Sequence, residues 1–176
     1  MPRPNAASMN PATMNPTRKN PRLKAYDYAS AGAYFVTICT HLKQAMFGQI
    51  KHGAMMLNPY GEQAERAWNE ISKHFPAVEL DAFIVMPNHV HGILLIDGER
   101  ARHASPLQKV SSLGTVIGAF KSAVARSINQ QRNASGERVW QRNYHEHIIR
   151  NEHSFAEIRE YIANNPLKWE LDKYYM

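Results

Sequence analysis

Cysteine is nearly absent from the chain: Cys39 is the only one in 176 residues. A lone thiol excludes a disulfide framework and a multi-cysteine zinc site, and fits a reducing compartment. Long apolar runs are missing too. No stretch approaches the ~18 residues that a membrane-crossing helix needs, so no membrane partner is expected. Residues 1–21 lack the apolar core of a secretory signal, and the expected location is the cytoplasm. Acidic residues are the scarcer charge, with 15 Asp and Glu against 21 Lys and Arg, a formal net charge of +6. A pI near 9.5 makes a polyanionic partner plausible, because cationic side chains that neutralise phosphates release counterions.

What is present is an ordinary globular composition, 44% apolar and 20% charged, on a length that suits one domain. Residues 1–21 stand apart. They hold five of the ten prolines and repeat Met-Asn-Pro at 9–11 and 14–16, so they read as a disordered tail before a domain over 22–176.

From there the periodicity alternates. Ala33–Thr40 reads as a strand, and Phe47–Ile50 with Met55–Leu57 reads as a small hairpin around Lys51-His52-Gly53. Asn58-Pro59 offers a cap and a first-turn proline. Ala64, Ala67, Trp68, Ile71 and Phe75 then recur at helical spacing, which predicts a helix over about 60–74. Leu80–Met86 and His89–Ile96 flank Pro87-Asn88 and should pair as an antiparallel hairpin. Ser111-Ser112 caps a second helix marked by Leu113, Ile117, Phe120, Val124 and Ile128, and Val139–Ile149 is extended. Ser154 to Glu157 matches a capping box opening a last helix, which must end near Asn165 because Pro166 follows. Strand, helix, strand, strand, helix, strand is the split βαβ order of an α+β, ferredoxin-like antiparallel sheet, here with an added C-terminal helix.

The candidate chemistry lies in Met86 to Gly92. His89 and His91 alternate with Val90 and so share one strand face, where two imidazoles can hold one metal ion. Ile93 and Leu95 continue that face and demand a cover. The last helix offers one in Phe155, Ile158 and Ile162, with Tyr161 at the stripe's edge and Asn165 one turn beyond it. Read blandly, these are polar residues at a strand start, a boundary aromatic and a helix end. A rival reading takes His145, Glu146 and His147, with His153 nearby, as a separate hydrolytic zinc site, although no H-E-x-x-H spacing is present. Tyr144 is the nearest rival to Tyr161 as a nucleophile.

Several ordered blocks go further. Tyr26-Asp-Tyr28, Gly32 to Ile38, Leu80 to Gly92, Gly118 to Ser122, Trp140 to His147, Ile149-Arg150 and Tyr161 to Pro166 together resemble the REP-associated tyrosine transposases. These are single-tyrosine HUH enzymes related to small insertion-sequence transposases. The likeness spans about residues 22–172. It implies a metal-dependent endonuclease and strand transferase acting on single-stranded or hairpin DNA, through a 5′-phosphotyrosine. Tyr161 would be the nucleophile, and His89, His91 and Asn165 the ligands of Mg²⁺ or Mn²⁺ rather than zinc. The chain would work as a monomer or a homodimer. A catalytically silent DNA-binding protein on the same scaffold is the alternative. For DNA contact, Lys121, Arg126, Arg142 and Arg150 are the expected phosphate partners, and Trp140 and Tyr144 the expected stacking platforms.

Overall fold

The computed structural model describes residues 31–97, 112–172 and 174–175. The expected tail over 1–21 and the Tyr26–Tyr28 block lie outside these. Among the described residues six strands are formed: β1 (Gly32–Cys39), β2 (Gly48–Lys51), β3 (Ala54–Leu57), β4 (Val78–Met86), β5 (His89–Ile96) and β6 (His145–Ile149). Four α-helices accompany them among the same residues: α1 (Pro59–Asn69), α2 (Ile71–His74), α3 (Leu113–Gln131) and α4 (Glu152–Asn164). Pro166–Leu171 adds a 3-10 turn after α4.

The main sheet has the order β4-β5-β1-β6, with every neighbouring pair antiparallel. This is the split βαβ arrangement: β5 lies between β4 and β1, the two strands that the α1–α2 crossover joins. The small hairpin β2–β3 stands apart as a second sheet. His52 and Gly53 turn it with φ of 51° and 74°, the left-handed pair that a two-residue turn between twisted strands requires.

Each face of the main sheet has its own core. On one side α1 and α3 bury Trp68, Val116, Ile117, Phe120 and Val124 against Tyr34, Val36, Val90 and Leu94. On the other, α4 lays Phe155, Ile158 and Ile162 on Phe35, Ile84, Ile93 and Ile149. The period-two alternation of β5 assigns His89 and His91 to this second, α4-covered face.

Three local expectations are corrected. The helix over 60–74 is two helices, because Glu70 (φ −88°, ψ −9°) breaks regular α geometry and lets Ile71 turn inward. Ser154 does not cap α4; the Asn151 side chain does so one turn earlier, accepting the Ser154 N–H at 2.8 Å. Val139–Ile149 is not continuously extended. The Lys121 ammonium donates to the carbonyls of Gln141 (2.7 Å) and Arg142 (3.2 Å), which bends the chain before β6. Asn58 and Ser112 cap α1 and α3 as their sequence positions suggest.

Candidate active site

The register of the sheet builds the site. His89 lies opposite Cys39 on β1 and Met86 on β4, and His91 opposite Thr37 and Ile84. Both imidazoles are fully buried, and their Nε2 atoms approach to 2.9 Å. Each ring is held from behind. His89 Nδ1 contacts Asn88 Oδ1 at 2.8 Å. An amide oxygen only accepts, so the Nδ1 carries the proton and the Nε2 lone pair faces inward. His91 Nδ1 meets Thr37 Oγ1 at 2.8 Å. Asn88 is itself fixed: its Nδ2 donates to the carbonyls of Tyr174 (2.8 Å) and Lys43 (3.1 Å).

Helix α4 carries the next groups. An outward bulge in β4 between Leu80 and Phe83 presents Asp81 to Arg159, whose Nε donates to Asp81 Oδ1 at 2.6 Å and whose second nitrogen reaches Oδ2. This bidentate pair holds the Asp81 carboxyl below its ordinary pKa. With the helix so seated, the Tyr161 hydroxyl stands 3.3 Å from His91 Nε2. Phe35 stacks on His91 and meets Tyr161 edge-on, at centroid distances of 5.3 and 6.1 Å. Tyr161 remains 39% exposed, open to solvent.

Asn165 keeps α geometry (φ −58°, ψ −41°) although a proline follows, so its side chain stays one turn beyond Tyr161. It is 2% exposed. Its Nδ2 donates to Asp172 Oδ2 at 2.9 Å, and its buried Oδ1 has no hydrogen-bond partner. Asp172 is the group that sequence reasoning missed. It follows Pro166, outside any helical or strand period, and only folding of the chain end brings it back. Its Oδ2 also accepts from the Tyr161 hydroxyl at 3.1 Å, and its Oδ1 accepts the Tyr174 N–H at 2.7 Å.

Among the described residues, the one group of His, Cys, Asp or Glu able to share a metal ion is His89, His91 and Asp172, with ligand atoms within 4.8 Å of one another. Two converging imidazole nitrogens, a carboxylate and an orphaned amide oxygen form a mixed N/O donor set that fits a divalent cation. Burial, then the Asp172 charge, drives the Tyr161 phenol well above its ordinary pKa. Tyr174 covers both imidazoles, with centroid distances of 4.7 and 6.0 Å, and burial pushes its own phenol up to about 12.

The other expected residues separate from this cluster. Tyr144 packs against the helix-side core and is not among the groups gathered around the histidines. Trp140 is not a stacking platform: it is 7% exposed in the α1–α3 core, and its Nε1 donates to the Lys121 carbonyl. Lys121 is not a free phosphate partner either, because its ammonium is spent on backbone carbonyls and burial lowers its pKa. Arg126, Arg142 and Arg150 are exposed. His145 and His147 do share a face, while His153 pairs with Glu157 on α4, and no zinc cluster forms from them among the described residues.

Comparison with known proteins places the chain in a family. Residues 46–165 match the IS200-like transposase family. An uncharacterized protein of Haemophilus influenzae is 40% identical over 88% of this chain and 91% of its own length. A Haemophilus influenzae protein described as a putative REP-associated tyrosine transposase is 25% identical over 81% of this chain and 74% of its own. Among solved structures, a REP-associated tyrosine transposase bound to a REP hairpin shares the fold, with a TM-score of 0.55 and 20% identity over 81% of this chain and 70% of that one. No helix among the described residues is long and apolar enough to cross a membrane. The matched span covers His89, His91, Tyr161 and Asn165 alike, and the chain belongs to the IS200-like transposase family.

Proposed function

We propose that this chain is a metal-dependent endonuclease and strand transferase of single-stranded DNA that uses Tyr161 as its nucleophile. The observation that carries the reading is the Tyr161 hydroxyl 3.3 Å from His91 Nε2, beside an Asn165 oxygen buried without a donor. Residues fit to hold a divalent cation are His89 and His91 through Nε2 and Asn165 through Oδ1, with the Asp172 carboxylate adjacent. Mg²⁺ or Mn²⁺ suits a set that leaves room for phosphate oxygens. When bound, such a cation polarises the phosphoryl group and offsets the charge that builds on it.

The chain's own groups do the rest. The phenolic oxygen of Tyr161 attacks phosphorus, a bond to Tyr161 forms, and the bond to the 3′ oxygen breaks. The products are a 5′-phosphotyrosine and a 3′-hydroxyl. Asp172 Oδ2, already accepting the hydroxyl hydrogen, takes up the phenol proton, which ends on the departing 3′ oxygen. One phosphoester is exchanged for another, so a 3′-hydroxyl can reverse the step and join new ends without ATP. Nucleophile and ligand set lie together within one chain, which supports a site built in cis, in a monomer or in each half of a homodimer. A relative solved on a REP hairpin makes hairpin-forming DNA the first substrate to try, in a cytoplasmic setting.

The test is a denaturing gel of end-labelled single-stranded hairpins incubated with protein and Mn²⁺ or Mg²⁺. A protein–DNA adduct is expected that disappears with EDTA and in Tyr161→Phe. Binding without cleavage across varied hairpins would instead favour a silent DNA-binding protein. Cleavage that survives Tyr161→Phe would remove Tyr161 as the nucleophile.

A further inference from the structure

We infer that Asp172 is a positioning residue that fixes which end of the Asn165 carboxamide is offered to the cation. The inference rests on the metal-site reading above. A carboxamide presents an oxygen at one end and an NH₂ at the other, and only the oxygen can ligate a cation. Nothing within Asn165 selects between them. Asp172 does: its Oδ2 accepts the Asn165 Nδ2–H at 2.9 Å. A carboxylate cannot donate, so the reversed amide would set oxygen against oxygen and is excluded. The end left over is Oδ1, buried and without a protein partner.

Asp172 is itself anchored by the Tyr174 N–H on Oδ1 and by Tyr161 on Oδ2. One carboxylate beyond the last helix therefore orients the third ligand and the nucleophile together. An asparagine in its place would break this selection, because its own NH₂ could face Asn165 and donate to the oxygen of the flipped amide.

The test is a double-substitution cycle read by calorimetric titration of the full chain with MnCl₂ in the absence of DNA. Asp172→Asn is expected to weaken Mn²⁺ binding about ten-fold, in the range for groups that orient metal ligands. In an Asn165→Ala background, where no amide remains to be oriented, the same change is expected to cost about two-fold at most, since the two sites act as one. Full, additive losses in both backgrounds would overturn the inference and make Asp172 a ligand in its own right. Unaltered binding in Asp172→Asn would overturn it as well. A wild-type chain that binds no more Mn²⁺ than His91→Ala would overturn the metal-site reading, and this inference with it.

Should Asp172→Asn fold poorly, Asn165→Asp combined with Asp172→Asn provides a second reading. Two identical oxygens at position 165 need no orienting, so affinity is expected to return to within about three-fold of wild type. Failure to return would count against the inference.

Discussion

The indole of Trp68 lies so close over Gly92 that a β-carbon at position 92 would sit 2.2 Å from the ring. Trp68 in turn stacks on Phe83 at 4.4 Å and meets Phe120 edge-on at 5.5 Å. The helical core therefore presses on β5 one residue from His91, and the glycine is what permits it. Gly92→Ala is expected to destabilise the fold by about 1–3 kcal/mol through overpacking. It should also weaken divalent-metal binding, because β5 must move to relieve the clash. Thermal melts with and without Mn²⁺ separate the two effects.

Arg159 and Asp81 join the tyrosine-bearing helix to the bulged edge strand. The Asp81 carboxyl is held below its unfolded value of about 3.9. Its contribution to stability is therefore complete above that value and is lost as pH falls through the lower, folded one. Asp81→Asn should melt slightly earlier than wild type at neutral pH, with the gap narrowing below about pH 4. Adduct formation should fall in the variant as well, since Tyr161 rides on the released helix. Melting curves across a pH series, paired with adduct gels at neutral pH, check both expectations.

A cation bound to the folded chain alone must also raise its stability by mass action. At a free Mn²⁺ concentration a hundred times the dissociation constant, the gain is about 2.7 kcal/mol. Wild-type chain should show the corresponding upward shift in melting temperature, reversed by EDTA. His89→Ala and His91→Ala should show none. A shift that persists in both variants would locate the cation elsewhere.

The histidine pair, the strand order and the tyrosine helix were legible because each is written in a local period. Alternation puts His89 and His91 on one face, and the Phe155, Ile158 and Ile162 stripe identifies the helix that covers them. Asp172 and Tyr174 were not legible, since they follow Pro166 in a segment with no period of its own. Thr37 and Asn88 read as an ordinary strand residue and an ordinary turn residue. Only the cross-strand register and the tight Pro87-Asn88 turn bring them behind the imidazoles. Trp140 and Tyr144 were ambiguous for a related reason. An aromatic residue beside arginines has the same composition whether it faces DNA or the core, and it is tertiary packing, including the Thr40–Trp140 bridge, that turns these two toward the core.

That distinction separates the basic residues into two kinds with opposite signatures. Arg142 and Arg150 are exposed on either side of β6, an edge strand of the main sheet. If they contact phosphates, replacing either with alanine releases fewer counterions on binding, and the salt dependence of DNA affinity should flatten by about one unit of slope. Their removal should leave the melting temperature nearly unchanged, as expected for surface substitutions. Lys121 should behave in reverse. Lys121→Met strands the carbonyls of Gln141 and Arg142 and frees the bend before β6, at a cost of about 2 kcal/mol. Its salt slope should match wild type. Affinities of a fluorescent single-stranded hairpin across a salt series, set beside thermal melts of the three variants, provide the comparison. A flattened slope in Lys121→Met would return that lysine to the DNA surface.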